Sequence, residues 1–139
     1  MGTSAIYVTT PQIKQVNISQ GNTQAILYTA GASGSKITGI FASSNDASID
    51  NVILWLGSNT AQLCRFAVVP VAINAGSNST IPTASFFTSS QMPALPVDND
   101  GQEYLFLAPS GLTQLWAQTT ANVAASPTVL CLSVIGGDF

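Results

Sequence analysis

The chain contains no histidine. It therefore lacks the side chain that most often serves as a general base near neutral pH. Ser-His-Asp and Cys-His nucleophile pairs are excluded with it. Charge is scarce as well, with three Lys or Arg residues and six Asp or Glu residues, or 6% of the chain. About 25% is typical. The only cations are Lys14, Lys36 and Arg65, so the basic footprint that nucleic acid or anionic lipid requires is missing. No apolar run approaches the ~18 residues of a membrane-spanning helix. The N-terminal residues lack a basic region followed by a long apolar one, and no export signal is expected. A myristoylation motif fails because Ile6 stands where Ser or Thr is needed.

Cysteine is nearly absent. Cys64 and Cys131 lie in apolar, strand-like runs, Leu63–Val69 and Val129–Ile135. Buried free thiols are the expected state. A disulfide would require the two strands to face each other. Two cysteines without histidine do not make a zinc site, and no cofactor is expected.

What replaces the charge is Ser, Thr, Asn and Gln, roughly a third of the 139 residues. The apolar share, 46%, is too high for disorder. Such a length suits one domain with a proper core. Covering a neutral polar surface costs less than covering charges, so the composition favours a subunit that works inside an assembly.

Residues 1–11 read as an N-terminal arm and 12–139 as the domain. Ile6, Tyr7 and Val8 make the arm extended and adhesive, and Pro11 is expected to end it. Such an arm either closes a sheet or reaches a neighbouring subunit. Strand patterns then follow at Lys14–Ile18, Gln24–Ala30, Lys36–Ser43, Asn51–Gly57, Leu63–Ile73, Tyr104–Leu107, Leu115–Gln118 and Pro127–Ile135, separated by Gly, Asn and Pro turns. Asn51–Gly57 and Leu63–Ile73 read as a hairpin, with Pro70 marking an edge or a break. Tyr104–Leu107 and Leu115–Gln118 read as a second hairpin around Ala108–Gly111. Residues 84–92 suggest one or two helical turns, bounded by prolines. About eight short strands argue for an all-β, antiparallel, jelly-roll-like sandwich.

Several strands are apolar on both faces. Val52, Leu54 and Leu56 oppose Ile53 and Trp55. Tyr104 and Phe106 oppose Leu105 and Leu107. Val129, Cys131 and Ile135 oppose Leu130, Leu132 and Val134. A two-layer fold buries only one face of each strand. A covering loop would account for one such strand; three favour a subunit interface, most simply in a trimer. Trp55, Tyr104, Phe106 and the arm residues Ile6, Tyr7 and Val8 are the expected contacts, with Phe106 alternatively in the core.

Asp98-Asn99-Asp100-Gly101 is the stretch where chemistry would first be sought. Placing Gly101 at position 6 of a calcium loop puts Pro96 and Leu107 where acids are required, so that motif fails. A weaker metal site on Asp98 and Asp100 stays open beside a plain polar turn. Gly31–Lys36 has the wrong spacing for a phosphate-binding loop. A glycosidase pair could be drawn from Asp46, Asp50, Asp98, Asp100 and Glu103, but nothing places two of them across a cleft. The expectation is a protein that is not an enzyme.

Tyr28-Thr29-Ala30, Lys36–Ile40, Asp46–Leu56, Met92–Gly101, Tyr104–Leu107 and the terminal Gly136-Gly137-Asp138-Phe139 together resemble the small β-sandwich structural proteins of tailed bacteriophages. Some of these are capsid decoration, or cement, proteins. The resemblance implies a virion protein without an active site, made in the host cytoplasm and placed on the outer surface of the head. Its partners would be its own copies and the major capsid protein. A tail or fibre component, or a carbohydrate- or receptor-binding β-sandwich module, is the alternative.

Overall fold

The computed structural model describes residues 8–18, 24–58, 64–77, 80–87, 95–108, 113–120 and 130–139. They form nine strands in two antiparallel sheets: β1 (Thr10–Ile18), β2 (Ala25–Thr29), β3 (Ser35–Ser44), β4 (Asp50–Ser58), β5 (Cys64–Val71), β6 (Ala84–Ser85), β7 (Leu105–Leu107), β8 (Thr113–Thr119) and β9 (Leu130–Asp138). One sheet runs β1-β9-β3-β6, with β7 also paired to β3; the other runs β2-β8-β4-β5. The pairs nest: β1 with β9, β2 with β8, β3 with β6 and β7, and β4 with β5. The chain is thus a long two-stranded ribbon, with the β4–β5 hairpin at its tip, wrapped so that β9 meets β3 and β8 meets β4. That is a jelly roll.

Inward side chains alternate along each strand and meet between the sheets. Ile37, Ile40, Leu54, Leu115, Leu130 and Leu132 are each 0% exposed. Bulges adjust the alternation. One between Ile37 and Gly39 turns both Ile37 and Ile40 inward. Another, between Ile26 and Tyr28, leaves Ile26 outside and brings Tyr28 into the core. A further one shifts the β4–β5 ladder between Leu54 and Trp55.

Most strand expectations hold, and the β4–β5 hairpin holds with Pro70 on an edge strand. Four details differ. β1 begins at Thr10 and includes Pro11, which an edge strand tolerates because one side of its backbone needs no ladder partner. Ala84 and Ser85 pair with β3 and the Phe86 amide donates to the Ile40 carbonyl at 2.9 Å, so this segment is extended rather than helical. Residues 88–92 of that reading lie outside the described residues. β7 and β8 are not a hairpin, since they belong to different sheets. The wrapped ribbon sends its return arm from one layer to the other at this point.

Last, Gly136 and Gly137 continue β9 instead of closing it. A Cβ on Gly136 would collide with the Lys36 carbonyl, and one on Gly137 would lie 2.6 Å from Val8 Cγ2. The glycine pair lets β1, β9 and β3 approach closely.

Leu105 and Leu107 face the core, whereas Phe106 is 46% exposed, so Phe106 is an outer-face residue. Leu54→Ala should destabilise the protein by about 2–5 kcal/mol. Phe106→Ala should cost about 1 kcal/mol or less. Urea denaturation of the two variants checks the assignment of faces.

Candidate binding surfaces

The Asp98 turn is built from its own carboxylate. The Asp98 N–H donates to the Gln102 carbonyl at 3.0 Å, and the Gly101 N–H donates to the Asp98 carbonyl at 3.1 Å. Gly101 holds φ +81°, which the turn requires and glycine accepts without strain. Asp98 Oδ1 accepts from the Asp100 and Gln102 amides at 3.0 and 2.9 Å. Asp98 Oδ2 accepts from Lys36 Nζ at 2.7 Å, and the same ammonium lies 5.1 Å from the Tyr104 ring centre. The hydrogen bond from Lys36, then that from the Gln102 amide, holds the Asp98 carboxyl below the ordinary aspartate range. Both Asp98 oxygens are therefore committed to a turn pinned beside β3. Asp100 is exposed and brings its amide, not a second carboxylate, to Asp98. Among the described residues, no group of three His, Cys, Asp or Glu side chains could hold a metal ion.

Asp46 and Asp50 are buried at the far end of β3, at 5% exposure each, and are joined through the Ser44 hydroxyl. Asp138 sits at the end of β9 and was not a candidate from the sequence. The Tyr28 hydroxyl donates to its Oδ1 at 2.8 Å, and the Ser35 hydroxyl at 2.5 Å. Burial, followed by the hydrogen bond to Asp138, pushes the Tyr28 phenol up to about 12. Lys14, Ile26, Leu27, Tyr28, Thr29 and Asp138 line a shallow groove of about 270 Å³ there. A phenol this firmly protonated is neither base nor nucleophile at neutral pH, and its bond to Asp138 ties the two sheets together. Cys131 carries a free thiol on the outer side of β9; the Cys64 side chain lies outside the described residues.

The outer faces are more informative. On the five-stranded sheet, Ile13 of β1 pairs with Ile135 of β9, which pairs with Gly39 of β3. Ile13 is 70% exposed and Ile135 is 40% exposed. The Phe41 ring folds over Gly39 and extends this row. In the next row Phe106 stacks on Phe139, with ring centres 5.8 Å apart. Lys36 lies beside Phe106 in this row, and Asp98 holds its ammonium. The face thus carries an apolar patch beside neutral polar groups such as Gln15 and Ser133, which hydrogen-bond at 3.2 Å.

On the four-stranded sheet, Ile26, Trp116, Trp55 and Arg65 form one row across β2, β8, β4 and β5. The Arg65 guanidinium lies 5.2 Å from the Trp55 ring centre. This face is mixed: Ile26 and Val68 are 43% and 42% exposed, whereas Ile53 is 4% exposed and the indole N–H groups of Trp55 and Trp116 are buried without a hydrogen-bond partner.

The expected contact residues therefore separate. Phe106 belongs to the five-stranded face and Trp55 to the four-stranded one. Tyr104 lies under Lys36, and Val8 packs on Gly137 of its own chain. Ile6 and Tyr7 lie outside the described residues. Sequence reasoning missed Ile13 as a surface residue because it placed the start of β1 at Lys14. The signal was present in Ile13, Val16 and Ile18, whose spacing puts Ile13 opposite the other two.

No protein-family model matches the chain, and no curated protein matches it. Among solved structures it is similar to a chain of the cyanophage Pam1 capsid asymmetric unit. The identity is 11% and the TM-score 0.44, covering 100% of this chain and 94% of the other. A likeness at that level carries no functional argument.

Asp98 has its pKa depressed, so its contribution to stability is present above the unfolded aspartate value and is lost as pH falls through the folded one. Asp98→Asn should melt below the wild type at pH 7. The difference should vanish well below pH 3.9, the ordinary aspartate value. Thermal melts from pH 2 to 7 check this. Millimolar calcium should leave the melting temperature unchanged.

Proposed function

We propose that this chain is a non-enzymatic structural protein of a tailed-bacteriophage virion, a capsid decoration protein that oligomerises and reinforces the head shell. The observation that carries the reading is the outer face of the five-stranded sheet. It presents Ile13, Ile135 and Phe106 to solvent beside neutral polar groups, and the Lys36 ammonium is paired with Asp98. Removing such a face from water gains apolar burial and strips no unpaired charge of its hydration. Exposed apolar patches of this kind mark association sites.

The mechanism is mechanical. Bound across the seams between capsid subunits, the protein adds buried area that must be lost before the shell can open. The jelly roll supplies stiffness, since each sheet is held by long antiparallel ladders. The absence of histidine supports a role without catalysis.

The purified protein should be a stable oligomer, most simply a trimer, by light scattering at micromolar concentration; a monomer would count against the proposal. It should also bind empty expanded heads and raise their resistance to heat. The double variant Ile13→Ser, Phe106→Ser should keep a near-native melting temperature and lose head binding at least tenfold. Binding to host cells or glycans instead of heads would favour the receptor-binding alternative.

A further inference from the structure

We propose that the free edge of β1 docks β1 of a second copy of this chain, antiparallel, about a two-fold axis through Ile13. The inference stands whether or not the protein decorates a head.

β1 is nine residues long, and among the described residues it pairs on one side only, with β9. The backbone groups left open can be identified from β9. Its Asp138 carbonyl accepts from the amide of Thr9, in the bend before β1, at 2.8 Å. The next residue turns the other way: the Phe139 amide donates to the Gly34 carbonyl beside β3 at 3.1 Å. The Ile135 carbonyl also faces that side, where Thr38 Oγ1 donates to it at 3.2 Å. Backbone groups alternate sides along a strand, so the even-numbered residues of β9 serve β1. Their register partners are the even-numbered residues of β1, Thr10 to Ile18. The N–H and C=O groups of Ile13, Gln15 and Asn17, and the Pro11 C=O, therefore point to the open side. Pro11 forfeits no ladder bond in this position. The β1–β9 register runs from Thr10 to Ile18 without a shift, so no bulge twists the edge away. Of the devices that blunt an edge strand, β1 has one proline near its start and one charge, Lys14.

The side chains select the occupant and the register. A two-fold pairing about Lys14 sets two ammonium groups directly opposite each other, which is destabilising. A pairing about Ile13 sets Lys14 against Gln12 of the copy, Gln15 against Pro11, and Ile13 against Ile13. Ile13, at 70% exposure, is the most exposed large apolar side chain of the described residues. In this register each Ile13 N–H donates to the Ile13 carbonyl of the copy, and each Gln15 N–H to its Pro11 carbonyl. The apolar row Gly39, Ile135, Ile13 then continues into the same row of the copy, so that two half-sized patches become one across the axis. The strand is its own complement, and the contact uses the same surface on both copies. It joins copies in pairs and is distinct from a three-fold contact; where the protein is a trimer, it joins trimers two by two.

Cysteine cross-linking tests the register. Directly opposed residues of a hydrogen-bonded pair lie about 5.5 Å apart at Cα, within reach of a disulfide. Under mild oxidation Ile13→Cys should therefore form a covalent dimer, and Gln15→Cys, which faces Pro11 of the copy, should not. The wild type run alongside accounts for its own thiols. Linkage at position 15 rather than 13, or at neither, would overturn the proposal. Gln15→Pro tests the edge itself. It removes an open-side N–H without touching the β9 ladder, and it leaves Ile13, Ile135 and Phe106 in place. It should keep a near-native melting temperature and halve the molar mass that light scattering gives for the wild type. A folded Gln15→Pro protein of unchanged mass would overturn the proposal. Binding of the same variant to empty heads reports on the decoration role separately, because the outer face is intact.

Discussion

The ladder between β3 and β9 is the constraint on which the rest of the molecule depends. It pairs Ser35–Ser44 with Leu130–Asp138, and β9 pairs on its other side with β1. Three strands lie this close because Gly136 and Gly137 have no side chain to separate them. β3 then serves both layers and both ends. Its inward residues Ile37, Ile40 and Ala42 are 0% exposed and floor the core. Its free edge accepts β6 and β7 in succession. Its first residues hold Lys36 against the Asp98 turn, and its last residue, Ser44, bridges Asp46 and Asp50.

Scarce charge gives each acid a distinct environment. Asp98 is stabilised as an anion by Lys36 and two amides, and its turn is pinned to the sheet. Asp138 joins Tyr28 from one sheet to Ser35 from the other. Asp46 and Asp50 are buried in the β3–β4 crossover and joined through the Ser44 hydroxyl. None of these arrangements brings together a base, a nucleophile and an open cleft. They hold turns and layer ends in place, while the outer faces are left to neutral and apolar side chains.

Much of the architecture was legible before any coordinates. Alternation in Lys14–Ile18 and the apolar runs in Asn51–Gly57 and Pro127–Ile135 marked strands, and Pro70 marked an edge. Two-sided hydrophobicity in β4 and β9 grouped Val52 with Leu54 against Trp55, and Leu130 with Leu132 against Ile135; the structure turns the first set of each inward. What misled was local turn chemistry. Ala108-Pro109-Ser110-Gly111 has the composition of a tight turn, but nothing local says whether the next strand returns in the same sheet. Gly136-Gly137 looks like a terminus, although its role comes from two neighbouring strands distant in sequence. The short pairing of Ala84–Ser85 was hidden because two residues are too few to show a period.

The sequence by itself determined the class: all-β, charge-poor, and with no histidine chemistry. Those properties are sums over composition and short-range periodicity, and no folding can change them. The tertiary structure alone decided which face of each two-sided strand points outward, because inward and outward are defined only by the opposite sheet. It also decided the place of Asp98-Asn99-Asp100-Gly101. As a string it offers two acids for a ligand; in the fold Lys36, 62 residues away, takes one of them. A long-range partner of that kind leaves no trace in the residues around it, and it turns the most chemically suggestive stretch of the chain into a structural pin.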